Sequence, residues 1–182
     1  MRITEKIFVV LGAAAALALA QELQPFNLFA YKTIWEPPAG ARASYPRLTE
    51  LEDGTVLVTT SVFPGTGPSS ELPSFPVFES KDGGVSWKQI TSITDKANGW
   101  GMGAQPAIME MTQDIGDYKK GTLLASGNSW NFAEDENGIG TKIDLYASTD
   151  KGKTWDFVSH VAQGGRPNTT NGADPIWEPY LM

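Results

Sequence analysis

Past residue 40 the chain alternates apolar and polar residues in short runs, the period-two pattern of half-buried strands. TVLVTTS (55–61), FPVFES (75–80), KQITSI (88–93), GTLLASGN (121–128), KIDLYAS (142–148) and DFVSHV (156–161) all carry it. Gly, Pro, Asp and Asn clusters punctuate these runs, and no stretch after residue 20 keeps a helical period. The runs recur in order. YPRLTELEDGTVLVTTS (45–61), QPAIMEMTQDIGDYKKGTLLASGN (105–128) and DPIWEPYLM (174–182) align on Pro46, Pro106 and Pro175, which are 60 and 69 residues apart. Each unit therefore reads as four short strands, A to D, with strand A following the proline. Four-stranded units at this spacing are blades of a β-propeller. The expected fold is all-β: a partial six-bladed propeller with blades at about 45–93 and 105–162, and the first strand of a third from 174. On this count residues 21–182 are the N-terminal part of one longer domain, inactive by itself, and alone they expose an unpaired blade edge.

Between strands C and D the two full units repeat an octad, SKDGGVSW (80–87) and STDKGKTW (148–155). Asp82 and Asp150 are expected to accept backbone N–H bonds within their own turns. Gly84 and Gly152 supply conformations closed to other residues, and Ser80 and Ser148 open the two turns. Ser86 and Thr154 tie each turn across, while Trp87 and Trp155 bury large rings between sheets. Every fixed position has a folding role, so the octad marks architecture rather than catalysis. A calcium loop is the alternative, but the carboxylates are too sparse for one.

The first twenty residues change the picture of where the protein works. Arg2 and Lys6 precede an apolar run, Ile7–Ala20, ending in Ala18-Leu19-Ala20. This is the form of a cleaved secretory leader, with a membrane anchor as the alternative. A secreted chain free of membranes is expected, its mature end near Gln21. The formal charge of −7 and the absence of any Lys/Arg block disfavour nucleic acid and anionic membranes as partners. There is no cysteine, so thiolate metal sites and thiol nucleophiles are excluded. The single histidine, His160, lies in the alternating run DFVSHV without a G-x-S-x-G elbow, which fits a surface or strand-end residue better than a catalytic triad. No sequence motif implies a metal or cofactor. Asn168-Thr169-Thr170 is an N-glycosylation sequon.

The octad is identified as the Asp-box, or BNR, repeat, and with the leader it makes residues 42–182 resemble the sialidase-like propellers. WGMGAQPAIMEM, TKIDLYASTDKGKTWDFVSHVAQGG and NGADPIWEPYLM resemble the fungal glycoside hydrolases of family 93, the exo-arabinanases. Those enzymes release arabinobiose from the non-reducing end of α-1,5-linked arabinan with retention. The resemblance implies a polysaccharide substrate from the plant cell wall and, at full length, a monomer. A non-catalytic Asp-box propeller that binds carbohydrate or protein is the alternative from another class. A sialidase is the third: those enzymes carry an arginine two residues before the first strand-A proline, where this chain has Ser44.

The octads occupy one face of such a propeller, so the long loops 61–74, 94–104, 129–141 and 162–173 form the other. They hold Trp100 and Trp130, candidates for stacking on sugar rings, together with Asn131, Glu134, Asp135 and Glu136. Glu178 is the candidate catalytic residue. On the proline alignment it matches Thr49 and Met109 on a channel-lining strand, where a carboxylate is buried or faces the axis. Burial raises a carboxyl pKa and suits a general acid; a salt bridge to an arginine is the structural alternative. A retaining glycosidase needs a second carboxylate about 5–5.5 Å away as nucleophile, which the resemblance places in a later blade. Arg47 follows the first proline and is a candidate substrate-binding residue or a solvent-paired arginine; Arg42 is a weaker one.

Overall fold

A computed structural model describes residues 32–63, 72–170 and 172–182. The leader at 1–20 and most of the 61–74 loop lie outside the described residues. The described chain contains no helix. Its eight strands form two four-stranded antiparallel sheets in sequential order. The first sheet is β1 (Arg42–Glu50), β2 (Val56–Phe63), β3 (Phe75–Ser80) and β4 (Lys88–Ile93). The second is β5 (Met102–Glu110), β6 (Leu123–Trp130), β7 (Thr141–Ser148) and β8 (Asp156–Gly164).

The sheets stack face to face because strand alternation puts Leu57, Thr59 and Ser61 on one side of β2, and Val58 and Thr60 on the other. Leu57, Phe75, Val77 and Ile93 of the first sheet meet Met102, Ile108, Leu123, Ala125, Tyr146 and Trp155 of the second in one core. Burying a side chain of this size stabilises the fold by roughly 1.5–3 kcal/mol. Gly127 permits the close approach: a Cβ there would lie 2.2 Å from the Phe75 ring. At the octad end the sheets are also clamped by exposed ion pairs, Lys151 with Asp53 and Lys120 with Glu52 (2.6 Å). The far face of β2 and β3 is covered in part by Trp35, whose ring stacks on Phe78 at 5.4 Å.

Each octad closes as the same hydrogen-bonded turn. Asp82 Oδ1 accepts the Ser86 N–H (2.8 Å) and the Ser80 hydroxyl (2.8 Å), and Asp82 Oδ2 accepts the Ser86 hydroxyl. Asp150 Oδ1 accepts the Thr154 N–H (2.9 Å) and the Ser148 hydroxyl (2.8 Å), and Oδ2 accepts the Thr154 hydroxyl (2.7 Å). The indoles of Trp87 and Trp155 donate to the carbonyls of Gly84 (3.0 Å) and Gly152 (3.1 Å). Hydrogen bonds from Ser86 pull the Asp82 carboxyl down to about 2. At Asp150 burial pushes the other way, but donors from Thr154, Ser148 and Lys153 outweigh it and hold the group at about 2.

Two sequence expectations are corrected. Trp155 is buried between the sheets, but Trp87 is only half-buried, because no second sheet lies over the first octad among the described residues. Residues 174–182 are extended without strand pairing among the described residues. The repeat also aligns differently. Tyr45, Gln105 and Glu178 share a left-handed backbone, with φ of 54°, 58° and 45°. Each immediately precedes a proline, Pro46, Pro106 and Pro179. The first two sit in β-bulges, between Ser44 and Arg47 and between Ala104 and Ala107. Glu178 therefore corresponds to Tyr45 and Gln105, not to Thr49 and Met109.

Candidate active site

A proline excludes the helical region for the residue before it, and a bulge turns that residue out of the strand ladder. The left-handed conformation costs of order 1–3 kcal/mol for a residue with a Cβ and persists only where neighbours enforce it. Here the neighbours are identifiable. The Gln105 N–H, freed from the ladder, donates to the Ser61 hydroxyl of the first sheet at 2.9 Å. The Thr60 hydroxyl donates to the Ser44 carbonyl at 2.7 Å beside the Tyr45 bulge. The segment leading to Glu178 is pinned in turn: the Ile176 N–H donates to the Thr141 hydroxyl (3.1 Å), and the Asn128 amide donates to the Ile176 carbonyl (3.2 Å).

The bulge at Gln105 and the pinned segment before Glu178 bring the two side chains together across 73 residues of sequence. The Gln105 Nε2 donates to Glu178 Oε1 at 3.4 Å, and the Glu178 N–H donates to Gln105 Oε1 at 3.4 Å. Asn128 Nδ2 donates to the same Gln105 Oε1 at 2.9 Å. Gln105 and Asn128 are buried, at 6% and 0% exposure. Glu178 itself is exposed, and its side-chain contact among the described residues is the Gln105 amide.

Trp177, the residue before Glu178, joins a cluster of aromatic rings. Trp177 meets Trp130 edge to face at 5.9 Å, and Trp130 also touches Phe132 (6.0 Å, edge on) and Phe63 (6.1 Å). The Arg42 guanidinium lies 5.2 Å over the Phe63 ring. Trp130 lies over Gly103, where a Cβ would come within 2.7 Å of the indole. Its Nε1–H is buried without a partner among the described residues. Exposed Phe132 and Trp177 give the group an apolar outer surface of the kind sugar faces stack on.

The other candidates are not brought to this group. Arg47 is exposed and donates to its neighbour's carbonyl, Pro46 O, at 3.1 Å. Trp100 packs under Lys142, whose Nζ sits 4.8 Å over the ring. Glu134 binds Arg166 through its N–H (3.0 Å) and guanidinium (3.3 Å). Asp135 caps its own loop at Asn137 and Ile139. Asn168 lies in the loop after β8, its Oδ1 accepting the Thr170 N–H at 2.8 Å. His160 is an exposed residue of β8, and its Nδ1 contacts the buried Asp144 at 2.7 Å. Burial pushes the Asp144 carboxyl up, against His160 and the Asn98 amide, which donates at 2.6 Å. Nearby, Asp95 Oδ2 accepts the N–H groups of Trp100 (2.7 Å) and Gly101 (3.0 Å) and fixes the loop between the sheets.

Sequence reasoning missed Gln105, Asn128 and Trp177. The signal for Gln105 was present: Gln-Pro and Glu-Pro align once the repeat is anchored on Pro179 instead of Pro175.

No family model matches the chain, and neither does any curated protein. Solved structures do. A GH93 α-L-arabinofuranosidase of Fusarium graminearum, in complex with arabinobiose, superposes with a TM-score of 0.72 at 43% identity. The match covers 82% of this chain and 40% of that one. A Penicillium chrysogenum α-L-arabinanase complexed with arabinobiose gives 0.73 at 40% identity, covering 82% and 41%. A Hadza microbial sialidase gives 0.50 at 17% identity over 69% of this chain and 25% of its own, a likeness of fold alone. The chain spans about two fifths of the length of the two arabinan-related structures.

Proposed function

We propose that this chain, tied to the glycoside hydrolase family 93 structures by fold and by 40–43% identity, is part of a secreted exo-acting α-1,5-L-arabinanase. The substrate class is a linear arabinan, and the product is arabinobiose released with retention. Glu178 supplies one of the two carboxylates such a reaction needs, as the acid that protonates the leaving oxygen; the nucleophile comes from outside these residues. The observation that carries the reading is Glu178 in contact with buried Gln105 and next in sequence to Trp177, which packs edge to face on Trp130. It offers a charged group for the glycosidic bond and apolar rings for a pentose face.

The test uses the protein expressed from its own gene. Incubation with linear α-1,5-arabinan should yield arabinobiose as the first product, in the anomeric form of the substrate by NMR. Glu178→Gln should lower kcat by about 10²–10⁴-fold. Wild-type turnover in that variant would remove Glu178 from the chemistry. Release of sialic acid from a synthetic glycoside, with none of arabinobiose from arabinan, would overturn the substrate.

A further inference from the structure

We propose that Gln105 is a positioning residue for Glu178, with Asn128 setting the sense in which it acts. This rests on the catalytic reading of Glu178 given above.

A glutamine amide can present either end to a carboxylate, and only the NH₂ end attracts one. Asn128 removes the choice. Its Nδ2 donates to Gln105 Oε1 at 2.9 Å, so that atom is the acceptor and Nε2 is the donor turned toward Glu178 Oε1. The same Oε1 takes the Glu178 N–H, so one side chain holds both the backbone and the carboxylate of its partner. Both contacts to Glu178 are 3.4 Å, long for hydrogen bonds, as catalytic contacts often are before substrate closes the site.

Burial adds to the case. Gln105 is at 6% exposure, its bulge held by Ser61, so its amide cannot follow an exposed carboxylate into solvent. The two residues occupy equivalent left-handed, pre-proline positions. One such position thus carries the reacting group, and the one before it carries the group that aims it.

Two variants separate aiming from folding. Gln105→Leu keeps the bulk and removes both polar ends. In the protein expressed from its own gene it should lower kcat on arabinan about 10²-fold, with KM little changed, as a misplacement of about 1 Å does. Gln105→Glu keeps the acceptor and replaces the donor with a like charge. It should move the Glu178-dependent limb of the pH–rate profile upward, because a neighbouring carboxylate disfavours a second charge. A wild-type kcat in Gln105→Leu, or a loss confined to KM, overturns the proposal. If Gln105→Leu fails to fold, Gln105→Glu decides, and an unmoved profile overturns it. If the wild-type protein releases no arabinobiose, the catalytic reading falls by itself. The clamp is then judged by NOEs between the Gln105 side-chain amide and the Glu178 side chain: they should be present in the wild-type protein, and their absence overturns it.

Discussion

The first strands of the two sheets, β1 and β5, share a proline-bearing bulge and the same place in their sheets, yet every residue of β1 is exposed or half-buried, while Met102–Ile108 of β5 are buried. The octads repeat the contrast. Their internal hydrogen bonds match, but Trp155 is at 3% exposure and Trp87 is half-buried. The second octad has the first sheet above it, where Gly152 approaches Leu57, and β5 packs against β1 and β2. A local motif fixes the shape of a turn; the neighbouring sheet fixes how much its side chains stabilise.

The contrast makes graded predictions. Trp155→Ala should cost about 3–5 kcal/mol in urea unfolding, the range for emptying a buried aromatic site, and Trp87→Ala distinctly less. Equal losses would break the comparison. Gly127→Ala should cost about 1–3 kcal/mol, because its methyl must displace the Phe75 ring. The octad aspartates sharpen the point from the other side, since their hydrogen bonds do not depend on the neighbouring sheet. Both carboxyls sit at about 2 in the fold, below the ordinary value of 3.8. A depressed carboxyl stabilises the fold above its unfolded value, and that contribution is lost as pH falls from about 4 through about 2. Asp82→Asn and Asp150→Asn should each flatten the acid side of a stability–pH curve in that window, by similar amounts. Lys151→Ala should change stability least, because its ion pair with Asp53 is exposed. A larger loss would show the octad-end clamp to be worth more than its exposure implies.

The fold was more legible than the site, for a physical reason. Strand periodicity is written locally: KQITSI became Lys88–Ile93 and FPVFES became Phe75–Ser80 without adjustment. The octad is equally local, since Asp82 and Asp150 bond within four residues of themselves. The burial of a tryptophan is not local, and Trp87 carries the same neighbours in sequence as Trp155 without the same neighbours in space. The site failed on register. The repeat was anchored on Pro175, whereas the left-handed φ shared by Tyr45, Gln105 and Glu178 anchors it on Pro179. That shift of register pairs Glu178 with Gln105, which lies beside it. Arg47 shows the same limit: its place after the proline is as expected, but its guanidinium turns back to Pro46.

The left-handed pre-proline position has a use beyond this reaction. The same backbone holds a tyrosine, a glutamine and a glutamate in turn. Side-chain identity there is therefore separable from main-chain course. A designer wishing to relocate an acidic group within this scaffold could exchange residues 105 and 178 and shift the charge from one repeat to the next while the trace of the polypeptide stays as it is.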